Sequence, residues 1–181
     1  MTEKKKDLRI VFMGTPDFAV GILKGLVDAG KNIVGVITSV DKPAGRGRTL
    51  RESAVKKFAK DNDIPVLQPK NLKAESFLEE LANWKADLQI VVAFRMLPKV
   101  VWAMPEEGTF NLHASLLPHY RGAAPINWAI MNGETKTGVT TFFIDEKIDT
   151  GAIIANKEVK IEENEKAGTL HDKLMEVGTT V

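Results

Sequence analysis

The stretch that decides the fold is residues 8–38, LRIVFMGTPDFAVGILKGLVDAGKNIVGVIT. Residues 8–13 (LRIVFM) form a short apolar run, the pattern of a strand covered on both faces. Gly14-Thr15-Pro16-Asp17 interrupts it, and Thr15 followed by Pro16 suits a helix N-cap and first helical position. Residues 18–29 are apolar at helical spacing, and Gly30 fits a helix stop. Residues 33–38 (IVGVIT) are strand-like again. Strand, turn, helix and second strand in this order make a βαβ unit.

Outward from this unit the alternation continues. Residues 51–62 read as a helix, 64–67 as a short strand, and 75–84 as an amphipathic helix. Residues 87–93 (DLQIVVA) are another buried strand, and a short helix is expected over 99–104. Thr109–His113 is strand-like, and Pro125–Met131 is a helix ending near Gly133. Residues 138–144 and 152–161 read as two later strands, and a final helix starts near Gly168. The pattern predicts an α/β fold, a Rossmann-like doubly wound, mostly parallel sheet flanked by helices. Ligands of such sheets bind outside the carboxyl ends of the strands. The loops after Met13, Thr38, Ala93 and His113 are therefore where a site belongs.

Composition narrows the function classes. At 181 residues, 44% hydrophobic and 27% charged, the chain suits one globular domain. Its net charge of +1 gives no strong overall pull towards nucleic acid or membrane, so any basic surface is local. The absence of cysteine excludes disulfides, thiolate catalysis and cysteine zinc sites. With no secretory pattern, this favours the cytoplasm. The apolar run behind the basic start is too short for a signal segment or a membrane span. His119 and His171 show no metal-ligand spacing and read as surface residues, and no metal is expected.

Three stretches carry chemistry. In FNLHASLLPHYRGAAP, residues 110–125, strand alternation puts Phe110 and Leu112 on one face and Asn111 and His113 on the other. An amide and an imidazole at a strand's carboxyl end suit acyl transfer: the amide donates to a developing oxyanion, and the imidazole donates likewise or moves a proton. A hydrogen-bonded strand end is the plainer reading. Second, Ile148-Asp149-Thr150-Gly151 offers a carboxylate that can fix an imidazole's tautomer. Asp-Thr-Gly-Ala also marks retroviral-type aspartic proteases, but those are small all-β chains and this one is full of helical segments. An Asp-Thr-Gly turn between strands is the structural alternative. Third, DKPAGRGRTL, residues 41–50, sets Lys42, Arg46 and Arg48 among Gly and Pro, with Arg51 beyond. Guanidinium groups on such a loop suit phosphate contacts, although a solvated surface loop has the same composition. The turn after the first strand lacks the GxGxxG spacing of dinucleotide folds and a P-loop lysine, which argues against a plain NAD-binding protein.

Five ordered stretches, FMGTPDFAV, DKPAGRGRTL, FNLHASLLPHYRGAAPINW, the TGVT…IDTG segment and GTLHDKL, resemble the methionyl-tRNA formyltransferase family over nearly the whole chain. The wider formyltransferase superfamily, including enzymes that formylate glycinamide ribonucleotide or amino sugars, shares the Asn-x-His, SLLP and later Asp elements. GTPDF and the PAGRG loop point to the tRNA branch. The resemblance implies a catalytic domain over 1–181 that takes a formyl group from 10-formyltetrahydrofolate to the α-amine of methionyl-initiator-tRNA. It implies Asn111, His113 and Asp149 as catalytic residues, with Ser115, Leu116, Leu117 and Pro118 along the folate. It sets the pterin near Phe94, Met96, Leu97 and the backbone around Asp145. It implies Arg46 at the tRNA acceptor end, with Lys42 and Arg48 beside it, and Phe18 near the methionyl side chain. The chain has AFRMLP where the family commonly has a sequence like AYGLILP. The family's smaller β-barrel domain, which helps hold tRNA, has no counterpart in these residues, so the chain is expected to be cut from a longer protein. Formylation of a sugar nucleotide, and folate binding with little turnover, are the alternative functions.

Overall fold

Residues 7–44 and 49–181 are described by the structure, a computed structural model. The strand of the deciding stretch, β1 (Ile10–Gly14), is buried at every position. Alternation splits its side chains between two cores. Ile10 and Phe12 pack into one cluster, and Val11 and Met13 into another on the opposite face. A strand covered on both faces needs no polar positions, which is why the run is apolar throughout.

The helix that follows, α1 (Asp17–Asp28), starts one residue later than the sequence suggests. Pro16, extended at φ −84° and ψ 177°, takes the flanking position, and its carbonyl accepts from the amides of Ala19 and Val20. Thr15 does not cap: no side-chain cap bond is made there, and its carbonyl accepts from Val55 instead. Asp17 still brings negative charge to the first turn, where the helix dipole favours it. Gly30 ends the helix region at φ +67°, a left-handed step open to glycine without strain.

Among the described residues the main sheet has seven strands, in the order β5-β2-β1-β6-β7-β8-β9. These are β2 (Ile33–Ile37), β5 (Val66–Leu67), β6 (Leu88–Val92), β7 (Thr109–His113), β8 (Lys136–Phe143) and β9 (Ile153–Lys160). β5, β2, β1, β6 and β7 run parallel, whereas β8 and β9 are antiparallel additions. One face is covered by α1, α2 (Ala54–Asp61), α5 (Pro125–Met131) and α6 (Ala167–Gly178) through Phe18, Ile22, Val55, Ala129, Leu170 and Leu174. The other is covered by α3 (Glu75–Asn83) and α4 (Lys99–Trp102) through Phe77, Leu81 and Val101. This is the expected doubly wound α/β architecture.

One expected element is different. Residues 51–53 are not helical. Arg51 lies in β4 (Thr49–Arg51), which pairs antiparallel with β3 (Lys42–Ala44), so that Lys42 faces Arg51 in register. The helix begins only after Ser53, whose hydroxyl accepts from the amide of Lys56 at 3.0 Å. A serine cap fixes a start more strongly than the helical propensity of the residues before it.

Candidate active site

β7 ends on Asn111 and His113, flanked by β6 and β8, and the sheet opens there into a cavity of about 1120 Å3. Asn111 and His113 both line it, while Phe110 and Leu112 pack into the core that α1, α5 and α6 cover. Asn111 makes no side-chain hydrogen bond among the described residues, so its amide is available to a ligand. The imidazole of His113 is nearly buried. Its Nε2 lies 2.7 Å from the Tyr120 carbonyl oxygen, which can only accept, so Nε2 carries the proton. Nδ1 is left facing Asp149, whose Oδ2 is 3.8 Å away.

Asp149 reaches this place by a left-handed backbone, φ +53°, in the loop between β8 and β9. Its Oδ2 accepts from the amide of Gly122 at 2.7 Å, and its carbonyl oxygen accepts from Arg121 Nε at 2.9 Å. The turn closes on Gly151 because a Cβ there would lie 1.6 Å from the Phe143 carbonyl oxygen. Asp145 holds the other end of the loop, accepting from the amide of Lys147 and the hydroxyl of Thr150, both at 2.9 Å.

Tyr120, at φ +56°, is fixed by its own side chain. Its hydroxyl donates to Glu134 and accepts from Asn132 at 3.0 Å. The bond to Glu134 raises the phenol pKa above its ordinary value, so the hydroxyl remains a donor. Ala93 and Ala124 are also left-handed and line the cavity. Such conformations cost on the order of 1–3 kcal/mol each outside glycine. Four of them meet around one imidazole and its cavity, which marks this as the functional end of the sheet.

Phe94, Met96, Leu97 and Asp145 all line the cavity where the sequence set a pterin. Val91 and Phe142, the cross-strand neighbours of Asn111, and Ile144 add further apolar lining. Phe18 lines it too, with its ring edge-on to His171 at 5.3 Å between centroids.

Ser115, Leu116, Leu117 and Pro118 follow shortly after the end of β7 and are not among the residues that line this cavity. Ser115 is fully buried and donates to the His119 carbonyl, its own carbonyl accepts from Thr140 Oγ1, and the amide of Leu117 donates to that same hydroxyl. Leu116 packs where a side chain at Gly138 would stand. The stretch is strapped to β8 through Thr140. His171 is no plain surface residue, because α6 carries it and Asp172 to the cavity edge. No signal in the local sequence announces this, since it depends on where α6 crosses the sheet.

Beyond the Thr15–Pro16 turn a hollow of about 410 Å3 shares Ala93, Phe94 and Arg95 with the main cavity and is also lined by Lys42 and Lys70. Arg46 and Arg48 lie outside the described residues. Among the described residues no group of three or more His, Asp or Glu side chains is arranged to hold a metal ion. No helix among them is long and apolar enough to cross a membrane.

Fold and site together define a class: a Rossmann-like α/β domain with an amide donor and a carboxylate-flanked imidazole at its strand ends, a group suited to acyl transfer. The chain belongs to the formyl transferase family, whose model matches residues 8–181. A relative from Flavobacterium johnsoniae named methionyl-tRNA formyltransferase is 69% identical over 96% of this chain and 55% of its own length. One of the same name from Flavobacterium psychrophilum is 70% identical over 96% and 55%. The chain thus spans about half the length of these curated relatives. Among solved structures, phosphoribosylglycinamide formyltransferase from Bacillus halodurans matches with a TM-score of 0.78 at 25% identity, over 96% of this chain and 90% of that one.

Proposed function

We propose that the protein containing this chain transfers a formyl group from 10-formyltetrahydrofolate to the α-amine of methionine esterified to initiator tRNA, in the cytoplasm. The observation that carries the reading is the convergence of Asn111, His113 and Asp149 on a cavity that Phe94, Leu97, Phe142 and Ile144 also line. At about 1120 Å3 the cavity exceeds the 300–1,000 Å3 usual for one small ligand, which leaves room for a flat donor and the acceptor's aminoacyl end together. The names of relatives at about 70% identity favour methionyl-tRNA as the acceptor.

The donor supplies a formyl carbon bound to nitrogen. Phe94, Met96, Leu97, Phe142 and Ile144 offer its ring an apolar face, and backbone groups around Asp145 offer it polar edges. Ser115, Leu116, Leu117 and Pro118, which follow His113 in the chain, run along the donor. When the amine attacks, negative charge grows on the formyl oxygen, and the free amide of Asn111 donates to it. The bond from Nε2 to Tyr120 supports a proton-accepting role for His113. In the neutral ring the Nε2 proton is committed, so Nδ1 is an acceptor and takes a proton from the attacking nitrogen. The resulting imidazolium donates from Nδ1, and Asp149 balances its charge. The proton then passes to the departing folate nitrogen. Phe18 and His171 flank the acceptor's side chain, and Lys42, Arg46 and Arg48 meet its phosphates.

A transfer assay with the full-length protein tests this. Formyl-methionyl-tRNA should accumulate with 10-formyltetrahydrofolate as donor, and transfer to a UDP-amino sugar in its place would refute the acceptor.

A further inference from the structure

Asp41 and Glu52 stand immediately outside the two strands of the β3–β4 hairpin, and both are bonded to one ammonium group. Lys56 Nζ, on α2, lies 2.6 Å from Asp41 Oδ2 and 3.2 Å from Glu52 Oε1. Its side chain is only 16% exposed. Gln68 reinforces the first arm, donating at 2.8 Å to both Asp41 Oδ1 and the Ser39 carbonyl. Lys60 reinforces the second, 3.0 Å from Glu52 Oε1. Each carboxylate is held below its ordinary pKa by these ammonium bonds, so the arms are charged at neutral pH.

A two-stranded hairpin with three residues in each strand cannot fix its own orientation. The helix beneath it can. Val55 and Ala59 are fully buried, and the Ser53 hydroxyl that caps α2 also meets Thr38 Oγ1 at 2.7 Å, at the end of β2. The direction of the hairpin is therefore set from α2, through Lys56. The paired strands bear two cations, Lys42 and Arg51, opposite each other in register, and the flanking acids are offset by Lys56 and Lys60. Lys42 lines the hollow that shares Ala93, Phe94 and Arg95 with the active-site cavity. Lys42 thus stands beside the cavity mouth.

We infer that Lys56 is a positioning residue for acceptor recognition: by holding Asp41 and Glu52 together it aims Lys42 and Arg51, the cations that begin and end the paired strands, at the phosphates of a nucleic-acid acceptor whose reactive end lies in the cavity. The inference rests on the proposed tRNA-directed reading. Lys56 itself is committed to the two carboxylates and touches neither donor nor reacting atoms.

The experiment uses the full-length protein and the variants Lys56→Met, Lys56→Arg and the double variant Asp41→Asn/Glu52→Gln. Turnover, KM for methionyl-tRNA, donor affinity and Tm are measured for each. Lys56→Met should raise KM for tRNA about tenfold, with kcat and donor affinity within about twofold of wild type. Lys56→Arg should recover most of the loss, since a guanidinium can still bridge two carboxylates. The double variant separates positioning from direct contact. It removes two negative charges and leaves Lys56 in place, so simple electrostatic attraction predicts tighter tRNA binding. Positioning predicts weaker binding. An equal or lower KM in the double variant overturns the inference, as does an unchanged KM in Lys56→Met. Parallel loss of donor affinity and tRNA affinity would make Lys56 a general stability residue and overturn it too. If Lys56→Met does not fold, the double variant decides alone. Failure of the underlying reading looks different: wild type itself would then transfer no formyl group to methionyl-tRNA.

Discussion

At the scale of single residues, the proposed chemistry turns on a main-chain oxygen. The Tyr120 carbonyl accepts a hydrogen bond from Nε2 of His113, which on the proposed reading leaves Nδ1 as the reactive nitrogen. Asn111 and His113 were legible in the sequence, because period-two alternation in a strand places them on one face whatever the rest of the fold does. Tyr120 was not: its role depends on a left-handed backbone and on a hydroxyl bond to Glu134, fourteen residues away. Asn111→Ala and His113→Ala should each lower kcat by ~10²-fold or more with donor affinity retained, because the oxyanion and the transferred proton exist only beyond the ground state. Separate measurement of turnover and donor binding checks this, and near-normal turnover in either variant removes that residue from the mechanism. Asp149→Asn keeps an oxygen for the Gly122 amide but loses the charge that balances an imidazolium. Its kcat should fall by ~10-fold or more, with a smaller change in Tm than in rate; a variant as fast as wild type would show that the carboxylate's charge is not used.

At the scale of elements, two connections carry the site. The β8–β9 loop depends on Gly151, where any Cβ collides with backbone rather than with a yielding side chain. Gly151→Ala should therefore displace Asp149 and cut turnover, with donor affinity less affected; unchanged kinetics would mean that the loop can shift without cost. The β3–β4 hairpin depends on α2, and its ion pairs give a pH signature. Asp41 and Glu52 have depressed pKa values in the fold, chiefly from bonds to Lys56 and Lys60 respectively. Their contribution is fully present above the unfolded values of about 4 and is lost as pH falls through the folded ones. The Tm difference between wild type and Lys56→Met should accordingly shrink as pH is lowered below about 4, and a difference independent of pH would contradict the pairing. The effect is modest, since these carboxylates are partly solvated. Most elements could be read from sequence. β7 and α5 match their expected bounds, and the others shift by a few residues where a cap such as Ser53 intervenes. The hairpin could not, because its strands are three residues long, contain Pro43, and are held by a lysine outside them.

At the scale of the whole molecule, the chain is a nearly neutral domain. Twenty-five Lys and Arg against 24 Asp and Glu leave little general attraction for a polyanion. Affinity for tRNA rests largely on phosphate contacts, and these residues provide few of them. Residues 1–181 alone should therefore bind the folate donor, yet bind and formylate methionyl-tRNA weakly at physiological salt. Lower salt should recover part of the rate. A full-length protein should recover more if further residues add a tethered contact surface. Equal kcat/KM for tRNA in the short and full-length chains at physiological salt would show that no such surface is needed, and loss of donor binding in the short chain would mean that the donor site extends past Val181. The central claim, that Asn111, His113 and Asp149 move a formyl group onto the amine of an aminoacyl-tRNA, is tested most directly by one assay. Full-length protein is given 10-formyltetrahydrofolate carrying a labelled formyl group together with methionyl-tRNA, glycinamide ribonucleotide and a UDP-amino sugar in competition. The account predicts label on the methionyl α-amine, and its loss when Asn111 or His113 is replaced by alanine. Label on either of the other amines with none on methionyl-tRNA would contradict it.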